Sequence, residues 1–162
     1  MKKKVSPKQA RFFFNTSMVS KKKKLKILKK SGIELTNQAT ITDHFYFEFG
    51  NISLIGNVFI NANCCFLDNA KITIQDKTMI GPNVTLSTAT HRCEPEIRHG
   101  DENIIHAPIN IGENVWVGAN SVILPGVTIG RNSVIAANSV VTSDVPENSL
   151  YAGAPAVFKK NI

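Results

Sequence analysis

No apolar run in the 162-residue chain approaches the ~20 residues that an α-helical membrane span needs. The patch Phe12, Phe13, Phe14, behind the basic start Lys2, Lys3, Lys4, is too short for the apolar core of a signal peptide. The chain therefore reads as cytoplasmic. Cysteine is scarce: Cys64 and Cys65 are adjacent and Cys93 stands alone. This is neither a disulfide framework nor a zinc-ligand spacing, and it suits small buried or half-buried thiols. Acid is missing from one region only. The first thirty residues hold 12 Lys and Arg and no Asp or Glu, whereas the remainder holds 7 basic and 12 acidic residues. The net charge of +7 thus belongs to one segment, and the body is mildly acidic. A basic stripe over the whole domain, as a nucleic-acid binder carries, is absent. So are the glycine patterns of phosphate loops and dinucleotide folds, and the G-x-S-x-G turn of serine hydrolases.

What is present is a repeat. Ile111, Val117, Ile123, Ile129, Ile135 and Val141 fall six residues apart without a gap. Gly112, Gly118 and Gly130 follow three of them. Asn114, Asn120, Asn132, Asn138 and Asp144 each sit three positions after their aliphatic residue. An amphipathic helix has a period of 3.6 and an ordinary strand a period of 2, so neither explains this spacing. A period of six places one aliphatic side chain inward on each short flat face, with Asn and Gly in the corners between faces. Three faces close one coil. A single coil cannot bury its inner side, so coils stack into a β-helix.

Earlier in the chain, Phe49, Ile55, Asn61 and Leu67 are also six apart, and after one extra residue Ile74, Ile80 and Leu86 resume the spacing. The polar segment from about 90 to 107 holds His91, His99 and His106 and reads as a loop thrown out from the coils. The division predicted is a basic arm over 1–33 and a β-helix over 34–162. Within the arm, KKKKLKILKK (Lys21–Lys30) suits a short helix with a narrow apolar face, ended by Gly32, although its lysines repel one another.

Two positions depart from the pattern. Asn61 puts an amide where the register expects an aliphatic side chain. It serves either as a corner cap or as a polar wall of a site. His91 stands where the coils give way to the loop. Imidazole titrates near neutrality, so a histidine there can take a proton from a hydroxyl and return it to a leaving group. A metal held by His91, His99 and His106 is a weaker reading, because no compact set of acidic or thiol ligands supports it.

The segments FINANCCFLD (59–68), NVTLSTATH (83–91), INIGENVWVGANSVILPGVTIGRNSVIAANSVVTSDVP (109–146) and YAGAPA (151–156) resemble the hexapeptide-repeat sugar O-acetyltransferases of the galactoside, maltose and nodulation-factor type. The resemblance covers roughly residues 45–160. It implies an all-β, left-handed parallel β-helix, a homotrimer, and acetyl-CoA as co-substrate with no metal required. It implies that His91 is the catalytic base, deprotonating a sugar or glycan hydroxyl that attacks the thioester directly. It places Asn61, Asp68 and Asn69 at the acceptor, with Asn69 aligned to the family's acid. Trp116, Gly118 and Ala119 match the wall beside the pantetheine arm, and Ala137, Thr142 and Ser143 match backbone positions along it. Lys160, with Lys159 beside it, matches a basic residue near the nucleotide phosphates; Val157 replaces an arginine of the relatives. The N-terminus departs most, because a lysine-rich arm stands where relatives carry a longer helical segment. Such an arm suits an anionic glycan, a lipid-linked substrate at a membrane surface, or plain solvation. Three other readings stay open: N-acetylation of an amino sugar or antibiotic, a metal-dependent carbonic anhydrase on the same fold, and a non-enzymatic scaffold.

Overall fold

A computed structural model describes residues 5–162; Lys2, Lys3 and Lys4 of the expected arm lie outside the described residues. The chain winds into a parallel β-solenoid of about six turns. Three sheets form its sides. The first face stacks Glu34–Leu35, Ile52–Leu54, Ile72–Ile74, Ile109–Ile111 and Thr128–Ile129. The second stacks Thr40–Ile41, Phe59–Ile60, Met79–Ile80, Trp116–Val117, Val134–Ile135 and Ser149–Ala152, and ends in Val157–Asn161. The third stacks Tyr46–Phe47, Cys65–Leu67, Thr85–Ser87, Val122–Ile123 and Val140–Val141. Rungs pair in parallel, Ile111 over Ile129, Val117 over Ile135 and Ile123 over Val141.

The six aliphatic residues of the regular repeat are all buried. Corners obey two different rules. Asn114, Asn120, Asn132 and Asn138 adopt φ between 56° and 59°, the left-handed region that Asn tolerates. Asp144 does not; its carboxylate accepts the N–H of Thr128 at 2.7 Å. Gly112, Gly118 and Gly130, predicted for the same conformational reason, have no positive φ. They answer to space instead: a Cβ on Gly118 would lie 2.5 Å from the backbone nitrogen of Ala137 in the next coil.

Before Ile74 the register is corrected, by two residues at Phe49 and by one at Ile55, Asn61 and Leu67. Phe49 and Ile55 are about half exposed, and the inward series is Phe47, Leu54, Ile60, Phe66, Ile74, Ile80 and Leu86. Those first coils are longer: Leu35 pairs with Leu54, and Leu54 with Ile74. Extra corner residues, some of them apolar, therefore hide the true inward series. Buried hydroxyls inside the corners are satisfied. Ser133 and Ser149 both donate to the Pro146 carbonyl, and Thr78 donates to Gly112. Among the described residues no buried side-chain polar atom lacks a partner.

The arm is folded. Helix α1 (Pro7–Thr16), which periodicity did not predict, starts in a capping box between Ser6 and Gln9 with Pro7 in the first turn. Its Asn15 bridges Phe45 as a strand would, accepting from the Phe45 N–H and donating to the Phe45 carbonyl, both at 3.1 Å. Arg11 donates to the Phe47 carbonyl and lies over the Tyr46 ring. Thus α1 covers the open edge of the third face. Helix α2 (Lys21–Lys30) buries Leu25 and Leu28. Phe14, Phe45, Phe47 and Phe66 join these in an aromatic plug at that end of the coil. No described helix is long and apolar enough to cross a membrane.

Candidate functional site

The third face ends at Ser87, and the first face of the next coil begins at Ile109. The chain leaves the coils between them. Thr88 anchors the exit: its hydroxyl donates to the Leu67 carbonyl at 2.7 Å and accepts the N–H of Ala70 at 2.8 Å. Ala89–His91 then pairs antiparallel with Ile104–His106, so the loop stands on a two-stranded stalk. His91 ends the outgoing strand, exposed, opposite Ile104.

The ring of His91 is oriented. Its Nδ1 lies 3.1 Å from the carbonyl oxygen of Arg98. A carbonyl only accepts, so Nδ1 carries a proton, and in the neutral imidazole Nε2 is then the nitrogen with the lone pair. Arg98 itself is tied back, its guanidinium donating to the Cys93 carbonyl at 2.7 Å. This brace escaped sequence reasoning because the atom holding His91 is a backbone carbonyl, which any residue supplies. Among the described residues no three His, Cys, Asp or Glu side chains are grouped to hold a metal ion.

Asn61 follows the inward Ile60 rather than replacing it. It sits half-buried at the corner between second and third faces, in the tier of Gly81 and Gly118. The periodicity break attributed to it is therefore a register error, although its position beside that corner stands. Its Oδ1 accepts the N–H of Ala62 at 2.8 Å. Asp68 needs correction as an acceptor contact. It is fully buried, and its two oxygens accept the N–H groups of Glu48, Phe49, Gly50 and Asn51 at 2.5–3.0 Å. A carboxylate so engaged builds a turn and has nothing left to offer a sugar. Asn69, next to it, is half-buried, and its side-chain amide makes no hydrogen bond among the described residues.

The residues expected along the cofactor do not share one edge with His91. Trp116 is 52% exposed on the outside of the second face, over Met79. Gly118 and Ala119 turn the corner from the second face to the third, with Ala137 in the coil above. Gly118 is buried, and the close approach of Ala137 accounts for its missing side chain without a ligand. Thr142 and Ser143 are exposed at the corner between third and first faces, the corner from which the His91 stalk leaves. Lys159 and Lys160 are exposed on the terminal strand of the second face, where Lys160 pairs with Leu150. One chain thus carries the histidine on one corner and the Trp116 wall on another face.

The outsides of the three faces differ in character. The first shows Glu34, Ser53, Thr73, Asn110 and Thr128. The second shows Thr40, Phe59, Met79, Trp116, Val134 and Leu150 in one stack, and the third shows Tyr46, Cys65, Thr85, Val122 and Val140. Cys65 is half-buried there, and both burial and the Glu48 charge push its thiol up. Burial inside the coil pushes Cys64 to about 11.

Comparison with known proteins gives a consistent result. The family profile described as bacterial transferase hexapeptide (six repeats) matches residues 108–143. The chain is 38% identical to the galactoside O-acetyltransferase of Lactococcus lactis over 152 residues, 93% of this chain and 73% of that one. It is 49% identical to nodulation protein L of Rhizobium meliloti over 119 residues, 73% of this chain and 64% of that one. Among solved structures it superimposes, with a TM-score of 0.90 and 36% identity, on a hexapeptide-repeat acetyltransferase of Vibrio cholerae complexed with acetyl coenzyme A. That match covers 96% of this chain and 84% of the other. The fold is the left-handed parallel β-helix. With its stacked hexapeptide coils and an identity of this extent over nearly its whole length, the chain belongs to the hexapeptide-repeat sugar O-acetyltransferase family, a family of acyltransferases.

Proposed function

We propose that this protein transfers the acetyl group of acetyl-CoA to a hydroxyl of a sugar or glycan, with His91 as general base. The observation that carries the reading is the orientation of His91. It stands exposed at the junction of scaffold and loop, with Nδ1–H given to the Arg98 carbonyl and Nε2 free. In this reaction Nε2 takes the proton of the acceptor hydroxyl as its oxygen attacks the thioester carbonyl. The tetrahedral adduct collapses, the carbon–sulfur bond breaks, and the imidazolium returns the proton to the departing CoA thiolate. Transfer is direct, without an acyl-enzyme. Backbone N–H donors beside the thioester share the charge of the tetrahedral oxygen. Asn69, free at the corner of the His91 stalk, and Asn61 contact the acceptor. Trp116 and Ala119 line the pantetheine arm, Ala137, Thr142 and Ser143 lie along it, and Lys159 and Lys160 serve the phosphates.

The site is completed by a second copy of the chain. The second face carries a largely apolar outer stack and the third a mixed one, while the first is polar, which supports side-by-side packing of coils as a homotrimer. Packing of that kind brings the His91 corner of one copy toward the Trp116 wall of its neighbour. The division into a helical N-terminal cap and a catalytic β-helix belongs to the same proposal. An acceptor screen with acetyl-CoA, read as free CoA release, tests the activity. Hydroxyl-bearing sugars are expected to respond. Turnover of amino acceptors alone would overturn O-transfer in favour of N-transfer, and absence of acetyl-CoA binding by calorimetry would overturn both.

A further inference from the structure

We infer that the outward side of the two N-terminal helices docks on an anionic lipid bilayer. The reasoning is independent of the catalytic proposal. Helix α2 buries Leu25 and Leu28 against the end of the coil. At the ideal helical advance, Lys22, Lys23, Lys26, Lys29 and Lys30 then fall within about a third of the circumference, on the opposite side. All five are exposed. Lys21, Lys24 and Lys29 are engaged, with Thr40, Asp43 and Asn37. Lys22, Lys23, Lys26 and Lys30 have no side-chain partner among the described residues, and residues 5–30 contain no acid to offer one. Four ammonium groups thus face solvent together.

Large apolar side chains are exposed on the same pair of helices. Helix α1 buries Ala10 and Phe14, which turns Phe12 outward, 72% exposed. Met18, in the turn between the helices, is exposed completely. A soluble polyanion would engage the lysines and leave Phe12 and Met18 in water. An anionic bilayer takes both, phosphates meeting the lysines and the apolar side chains entering the headgroup–acyl boundary. Charge distribution sets the orientation. Beyond residue 30 the chain holds 7 basic and 12 acidic residues, so an anionic surface attracts the helical end and repels the coil. The helices close one end of the solenoid, so docking there leaves its three faces clear.

The test is co-sedimentation of the full chain with vesicles of phosphatidylcholine alone and of phosphatidylcholine with one third phosphatidylserine. Binding to the anionic vesicles, suppressed by salt, is expected. The variant K22E/K23E/K26E/K30E should lose on the order of 10³-fold or more in partition. The variant F12S/M18S, with unchanged charge, should lose several-fold. Circular dichroism keeps the comparison to folded protein. Equal binding to neutral vesicles, or parental binding by the lysine variant, would overturn the inference. So would binding to heparin that matches the vesicles and ignores F12S/M18S, which would assign the patch to a soluble polyanion.

Discussion

His91 and Arg98 are joined through a side-chain nitrogen and a backbone carbonyl, 3.1 Å apart across the base of one loop. The bond decides which nitrogen of the imidazole is available to a substrate. His91→Ala is expected to lower turnover by ~10²–10⁴-fold, with the oligomer and acetyl-CoA affinity retained. Steady-state kinetics beside light scattering checks this, and parental turnover would remove His91 from the mechanism.

Asp68 is a different kind of polar residue. Its carboxylate gathers four backbone N–H groups inside a turn. Asp68→Ala leaves four backbone donors, Gly50 buried among them, without their acceptor and should cost about 3–5 kcal/mol of stability. Chemical denaturation reads the loss. In whatever folded protein remains, KM for the acceptor should be unchanged; a selective rise in KM would restore Asp68 to the acceptor site.

Gly118→Ala tests coil stacking. The added methyl meets the Ala137 backbone at 2.5 Å, and backbone yields less readily than a side chain. A destabilisation of roughly 1–3 kcal/mol is expected from such overpacking, seen as a lower Tm.

The apolar stack on the second face predicts association. Replacing Met79 and Trp116, each about half exposed, with glutamate should yield a folded monomer with no acetyltransferase activity. Ultracentrifugation with circular dichroism distinguishes this from unfolding. An active monomer would refute a site shared between copies.

The thiols should differ in reactivity and in their effect on stability. Cys93 is exposed, whereas burial raises Cys64 to about 11 and also raises Cys65. At pH 8, Cys93 alone should label rapidly with iodoacetamide, because the thiolate is the reactive form. The folded thiol of Cys64 holds its proton to a higher pH than the unfolded one. Its contribution is therefore present below the unfolded value of 9.0 and is lost as pH rises toward about 11. Cys64→Ala should flatten that alkaline decline in denaturation midpoints.

How far the residues alone could carry the reading varied along the chain. From Ile111 to Val141 the inward residues were legible because the coils there keep six residues per face, and a strict period survives without knowledge of neighbours. Between Phe47 and Leu86 the same counting chose Phe49 and Ile55, which face outward. Longer corners there carry apolar residues of their own, and only pairing with the next coil tells the two series apart. Helix α1 was missed although Ser6, Pro7 and Gln9 carry a capping signal. Three consecutive phenylalanines obscure its apolar face.

By itself, the sequence determined the coil, its asparagine corners and the place where the chain leaves it, since each is set by local spacing and local backbone preference. Only tertiary structure decided that Asp68 is a turn-builder, that Asn61 stands beside the core, and that His91 and Trp116 lie on separate sides. Those facts depend on which residues stack across coils nineteen, twenty or more positions apart, and no local pattern encodes such contacts.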